Sequence, residues 1–190
     1  MLISLLAGLS GCHRAPALPH VVIGTELGEI EVEIDTIQAP ITAGNFLRYV
    51  DAGYYAAARF HRTVTPRNQG DRPIQIEVIQ GGLDSARFHD FPAIPLERTS
   101  LTGLRHRDGA ISMARDGPDT ATSDFFICIG AQPELDFGGR RNPDGQGFAA
   151  FGVVVRGMEV VGKIQAAPAQ GQSLTPPVGI VSVARVAPPA

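Results

Sequence analysis

Residues 20–35, HVVIGTELGEIEVEID, hold two β-prone runs about a Gly-containing turn, and from Glu29 to Ile34 charged and apolar residues alternate at every step. A period of two puts one set of side chains on each face of a strand, which predicts a half-buried antiparallel strand with its acidic side out. The glutamates therefore read as a solvated face and not as a catalytic carboxylate pair. Over residues 39–55 the period changes. Ile41, Phe46, Leu47 and Val50 fall at near-helical spacing, with Pro40 at the start and Gly53 as a natural stop. This predicts a helix over 40–52 that packs on a sheet. Short apolar runs between turn signals then predict strands at 58–64, 75–80, 109–114, 124–129 and 149–155, a helical stretch at 158–165 and a last strand at 178–186. No repeat of 20 to 50 residues and no internal linker breaks the chain. Many short strands with two helices favour a mainly β architecture, a closed antiparallel barrel with helices at its ends; the βαβ alternation of a parallel sheet is absent.

Composition sharpens this into one domain with a leader. The chain has 190 residues, 44% of them hydrophobic and 18% charged, enough for a single sizeable core. We divide it into a leader and linker, 1–19, and a folded domain, 20–190. A net charge of −3 gives no case for nucleic-acid binding. Arg59, Arg62, Arg67 and Arg72 cluster locally and read as a solvated loop, with one arginine held back for chemistry. The first twelve residues, MLISLLAGLSGC, close a short apolar run on small residues, as at the end of a secretory signal. LSGC resembles the bacterial lipobox, in which the cysteine, here Cys12, carries the lipid anchor; no Lys or Arg precedes the run. The chain is accordingly expected in the periplasm, anchored to a membrane. Cys128 then lacks a disulfide partner and, within the apolar run FFICIG, reads as a small buried hydrophobe. With no CxxC and no spaced His cluster, no metal site is expected.

Candidate chemistry concentrates in 103–130, where Gly, Pro, Asp, Thr and Ser crowd residues 116–123 between two apolar strands, a long loop of the kind that carries function. IQGGLD, 79–84, ends a strand on paired glycines that allow close backbone approach but match no phosphate-binding motif. Ser112, Ser123, His61, His106 and Asp124 supply the residue types of a hydrolase triad, yet there is no G-x-S-x-G elbow, and a serine hydrolase is rejected.

Taken together, FHRTV (60–64), IQGG (79–82), SMARDGPDTATSDFFI (112–127) and FAAFG (148–152) resemble, in order and spacing, the cyclophilin family of peptidyl-prolyl isomerases across roughly residues 21–187. The resemblance implies an eight-stranded antiparallel barrel capped by two helices, acting on proline-containing polypeptides and needing neither metal nor cofactor. It implies that Arg62 is the catalytic cation, that Gln80 positions substrate and arginine, and that Phe126 floors the proline pocket with Val78 and Leu135 as walls. Ala114, Arg115, Asp124 and Phe148 complete the substrate-binding set. Alternation along FHRTV puts Phe60, Arg62 and Val64 on one face and His61 and Thr63 on the other, adding Phe60 to that set. A monomer is expected. The alternative is a binding module of the same fold, holding proline segments with little turnover.

This sequence departs from the family pattern at several positions. Glu77 stands where an aromatic is common, Arg115-Asp116 replaces Asn-Ala, Asp124 replaces a Gln and Phe148 a histidine. Glu77, Asp116 and Asp124 are expected to make the cleft acidic, with Arg115 offsetting them in part or with their charge drawing on Arg62. Two longer loops, TPRNQGDRPIQ (65–75) and FGGRRNPDGQG (137–147), read as solvated surface in preference to a substrate-shaping rim.

Overall fold

The computed structural model describes residues 17–83 and 91–187. Nine strands form its sheet: β1 (His20–Thr25), β2 (Gly28–Ile34), β3 (Arg59–Val64), β4 (Val78–Gly82), β5 (Ala110–Met113), β6 (Phe125–Cys128), β7 (Ala149–Arg156), β8 (Ala169–Gln170) and β9 (Ser173–Val186). The strand order is β1-β2-β7-β5-β6-β4-β3-β9-β8, and β1 also pairs with β9, so eight strands close into an antiparallel barrel with the two-residue β8 appended. Closure leaves no long free edge.

The predicted helices are present as α1 (Pro40–Asp51) and α3 (Met158–Gln165). A four-residue α2 (Thr99–Thr102), too short for a periodic signal, lies between them in the chain. α1 starts at a proline and has no side-chain cap of its own. The Glu97 carboxylate supplies one from afar, accepting from the Ile41 amide at 3.2 Å and the Thr42 amide at 2.7 Å, where the helix dipole favours negative charge. Ala43, Phe46, Leu47 and Val50 of α1 are buried, whereas Ile41 is exposed. The Phe46 ring fills the barrel beside Phe125 at 5.5 Å and Phe151 at 5.2 Å, centroid to centroid.

Three expectations change here. Glu31 is buried, not solvated, because β2 runs between two neighbours. Its carboxylate takes His20 Nδ1 at 2.8 Å on one side and Arg156 Nη2 at 2.9 Å on the other. β4 starts at Val78, and Ile76 just before it bonds through its backbone to Gln69 of the preceding loop. β9 begins five residues earlier than its apolar run, through Pro176 and Pro177. Prolines are admissible there because the stretch is an irregularity: Phe60 pairs with Val178 but Arg62 with Ser173, so residues 174–177 bulge opposite His61.

That bulge decides what β3 presents. On the other side Phe60 pairs with Gly81 and Arg62 with Gln80, leaving His61 as an extra residue. The extra residue resets the alternation. Phe60 is fully buried in the barrel interior, edge-on to Phe125 at 5.7 Å, while Arg62 and Val64 stay on the outer face. Phe60 is therefore a core residue, with no exposed surface to offer a substrate. His61 is not turned away either, for its Nε2 lies 3.5 Å from Asp124 Oδ2.

Candidate active site

On the outer face, the pairings Arg62–Gln80, Gln80–Phe126 and Phe126–Ser112 form one row across β3, β4, β6 and β5. Residues in such a row share a face at about 5 Å spacing, so these side chains meet directly. Arg62 Nη1 donates to Gln80 Oε1 at 2.9 Å, and Gln80 Nε2 donates to Asp124 Oδ2 at 2.9 Å. Arg62 Nε and Nη2 both donate to Gln172 Oε1, at 2.9 and 2.6 Å. Three of its five N–H groups are thereby used within the described residues, and two remain.

The row borders a cleft of about 400 Å³. Arg62, Val78, Gln80, Ala114, Arg115, Asp124, Phe126, Leu135 and Phe148 all line it; of the predicted set within the described residues only Phe60 does not. Cys12 lies outside the described residues. Phe126 forms an edge-to-face pair with Phe148 at 5.3 Å, and with Val64, Val78, Cys128 and Leu135 it makes a second apolar cluster on the outer face. Cys128 is fully buried, and burial pushes its thiol up, so it is an inert hydrophobe as predicted.

Beneath Phe126 runs a chain of buried polar groups. His106 Nδ1 is 2.8 Å from Asp136 Oδ1, His106 Nε2 is 3.0 Å from Ser112 Oγ, and the imidazole stacks on the Phe126 ring at 5.8 Å. The order Ser-His-Asp is that of a hydrolase triad. Ser112 is nevertheless fully buried, and no substrate atom can approach its hydroxyl. The chain fixes the pocket floor. Burial raises the Asp136 carboxyl, but the hydrogen bonds and charge of His106, with Arg105, outweigh it and hold the group below the usual carboxylate range.

The far wall is bolted from inside the fold. Asn45 Nδ2 donates to the Thr122 carbonyl at 2.6 Å and the Tyr55 hydroxyl to that of Ser123 at 2.7 Å, holding the loop that carries Asp124.

The charge of the cleft differs from the acidic cleft expected. Glu77 points away and accepts from Gln165 of α3 at 3.2 Å. Arg115 neutralises neither Asp116 nor Asp124; it pairs with Asp144 at 2.8 Å, donates to the Gly147 carbonyl and lies over Phe148 at 5.1 Å. Asp116 and Asp124 face the cleft together with Arg62, Arg72 and Arg141.

Arg72, Arg141 and Asn142 come from the two long loops and Ile76 follows the first, so the loops, although largely exposed, also wall the cleft. Gln69 is buried at their junction. Its Nε2 donates to the Thr65 and Ile76 carbonyls at 2.9 and 2.8 Å, while its Oε1 accepts from the Ile76 amide at 3.1 Å and from Arg141 Nη1 at 2.9 Å. Sequence reasoning missed these residues and Gln172, since each acts through contacts distant in the chain and none carries a local pattern.

The fold coincides with that of one family. Residues 20–185 match the model described as cyclophilin type peptidyl-prolyl cis-trans isomerase/CLD, and the chain belongs to that family. It is 36% identical over 160 residues, 84% of this chain and 77% of the relative, to peptidyl-prolyl cis-trans isomerase A of Dickeya dadantii. It is 33% identical over 184 residues, 94% of this chain and 91% of the relative, to a peptidyl-prolyl cis-trans isomerase of Acinetobacter baylyi. The barrel superposes with a TM-score of 0.73 on the crystal structure of a Cryptosporidium parvum cyclophilin type isomerase, at 23% identity and covering 90% of this chain and 99% of that one.

Gln69→Ala is expected to leave the barrel folded while unfastening the two loops. The Ile76 amide, protected by Gln69 Oε1 in the wild type, should exchange with deuterium at least tenfold faster, one decade corresponding to about 1.4 kcal/mol of lost protection. Unchanged protection would show that the loops do not depend on this bolt.

Proposed function

We propose that this chain catalyses cis-trans rotation about X-Pro bonds in the cleft beside Arg62, with Phe126, Val78, Leu135 and Phe148 gripping the proline ring. An X-Pro amide resists rotation because its nitrogen shares a lone pair with the carbonyl, which gives a barrier of roughly 18–20 kcal/mol. In the twisted state the sharing is lost and the nitrogen is pyramidal, with an exposed lone pair. A cation held beside that nitrogen binds the twisted state better than either planar ground state, and that difference is catalysis.

The observation that carries this reading is how Arg62 is held. Both of its anchors, Gln80 and Gln172, are neutral amide oxygens, and two of its N–H groups remain for a ligand. A carboxylate anchor would fix the guanidinium equally well but offset its charge. Burial, then the neighbouring Arg72, lowers the Arg62 proton affinity. The group stays charged at neutral pH because an arginine starts so far above it. Gln80, tied on its other side to Asp124, keeps the arginine aligned with the pocket floor. Removing about 4 kcal/mol from the barrier corresponds to roughly a thousandfold.

We further propose that the chain works as a monomer in the periplasm on proline-containing segments of exported proteins, anchored to a membrane through Cys12. The LSGC sequence ahead of a proline-containing linker supports the anchor.

Two experiments test these proposals. In an NMR exchange assay on a short X-Pro peptide, Arg62→Ala is expected to lose on the order of 10²–10³ in kcat/KM. A variant as fast as the wild type would overturn the enzyme reading and favour a binding module. Mass spectrometry of the mature protein from native membranes should find Cys12 as the lipid-bearing first residue. An unmodified chain starting beyond Cys12 would rule the anchor out.

A further inference from the structure

We propose that Arg72 and Arg141 form an anion-selecting rim, so that the cleft prefers chains with a carboxylate side chain within about three residues of the target proline. This rests on the isomerase reading, because it assigns a preference to the same cleft.

The first observation is a set of cations without counter-charges. Arg62, Arg72 and Arg141 line one end of the cleft, and none has a carboxylate oxygen within 4.0 Å among the described residues. Arg141 Nη1 is held by the neutral Gln69 Oε1 at 2.9 Å and the Ile74 carbonyl at 2.7 Å. Arg72 is exposed and makes no hydrogen bond to any described residue. This is not a shortage of acids, since the chain has 19 Asp and Glu against 16 Lys and Arg. The neighbouring Arg115 and Arg140 are ion-paired, with Asp144 and Glu134.

The second observation is what that grouping costs. Burial, then Arg72 and then Arg62, lowers the proton affinity of Arg141. Two of the three arginines are thus half-desolvated and repelled by the same neighbour, and no carboxylate of the described fold offsets their charge. An anionic side chain entering the cleft would do so, with charge-assisted hydrogen bonds to planar, fork-shaped donors.

The third observation gives direction. Gln80 separates the charges: its Oε1 faces Arg62, and its Nε2 faces Asp124. Asp124 and Asp116 also line the cleft, and Asp124 stands across Gln80 from Arg62. A bound segment therefore meets positive charge toward one end and negative charge toward the other. A carboxylate should help on one side of the proline and not on the other.

The test uses short X-Pro peptides with a single Glu, Gln or Lys at each position from three before to three after the proline. Both kcat/KM and Kd are measured at low salt. On one side of the proline, the Glu peptide is expected to exceed its Gln counterpart by on the order of tenfold. The ratio should fall toward one at 0.5 M salt, where screening acts over a few ångströms. Arg72→Glu should invert it in favour of Lys. Arg72 carries the test because Arg141 also holds the loops together. Equal affinity for Glu and Gln peptides at every position, or a ratio untouched by Arg72→Glu, would overturn the proposal. Failure of the wild type to isomerise the Gln peptides would instead overturn the isomerase reading, while the affinity ratio would still decide the rim.

Discussion

Between Phe60 and Arg62 the ladder of β3 slips against both neighbours, by one residue on β4 and by three on β9. With strict alternation the two side chains would share a face, and the barrel could not both fill its interior with Phe60 and deliver Arg62 outside. The slip separates them. Phe60 goes inward to Phe125, and Arg62 enters the outer row beside Gln80 and Phe126. The excess chain on β9 follows the turn that supplies Gln172, whose carbonyl takes the Thr63 amide at 2.9 Å and whose side chain holds the guanidinium. One irregularity thus determines the interior packing, the exposure of the arginine and its support.

Around that row the fold keeps anions off the arginine and apolar groups around the pocket. Neutral amides orient Arg62, a stacked imidazole backs Phe126, and a buried glutamine fastens the two loops. Each is a buried or half-buried polar group with its partners satisfied, the condition under which such groups rigidify a site instead of destabilising it. The result is a fixed cleft with a charge gradient across it, suited to binding a distorted amide without rearrangement of the protein.

Much of this was legible in the sequence. The alternation in Glu29–Ile34 and the helical spacing of Phe46, Leu47 and Val50 marked elements that the barrel contains. Four separated motifs placed nine of the ten predicted domain-borne site residues on one cleft. What misled was periodicity where tertiary context overrides it. Alternation cannot show an inserted residue, so it puts Phe60 on the face of Arg62 and turns His61 away. Nor does it show that β2 is flanked on both sides, which buries Glu31. Departures from the family pattern at Glu77, Asp116 and Asp124 read as an acidic cleft, whereas Glu77 points to α3 and the loops bring in Arg72 and Arg141. Gln69 and Gln172 were invisible because their partners are decided by the fold alone.

The central claim is that the proline is twisted on the outer row, against Phe126 and beside Arg62. The most direct measurement is intermolecular NOE spectroscopy on the wild type with an X-Pro peptide in catalysed exchange. Contacts from the proline ring to Phe126 and Leu135 are expected for both cis and trans peptide. Catalysed exchange with those contacts absent, and the ring instead against another face of the barrel, would contradict that claim.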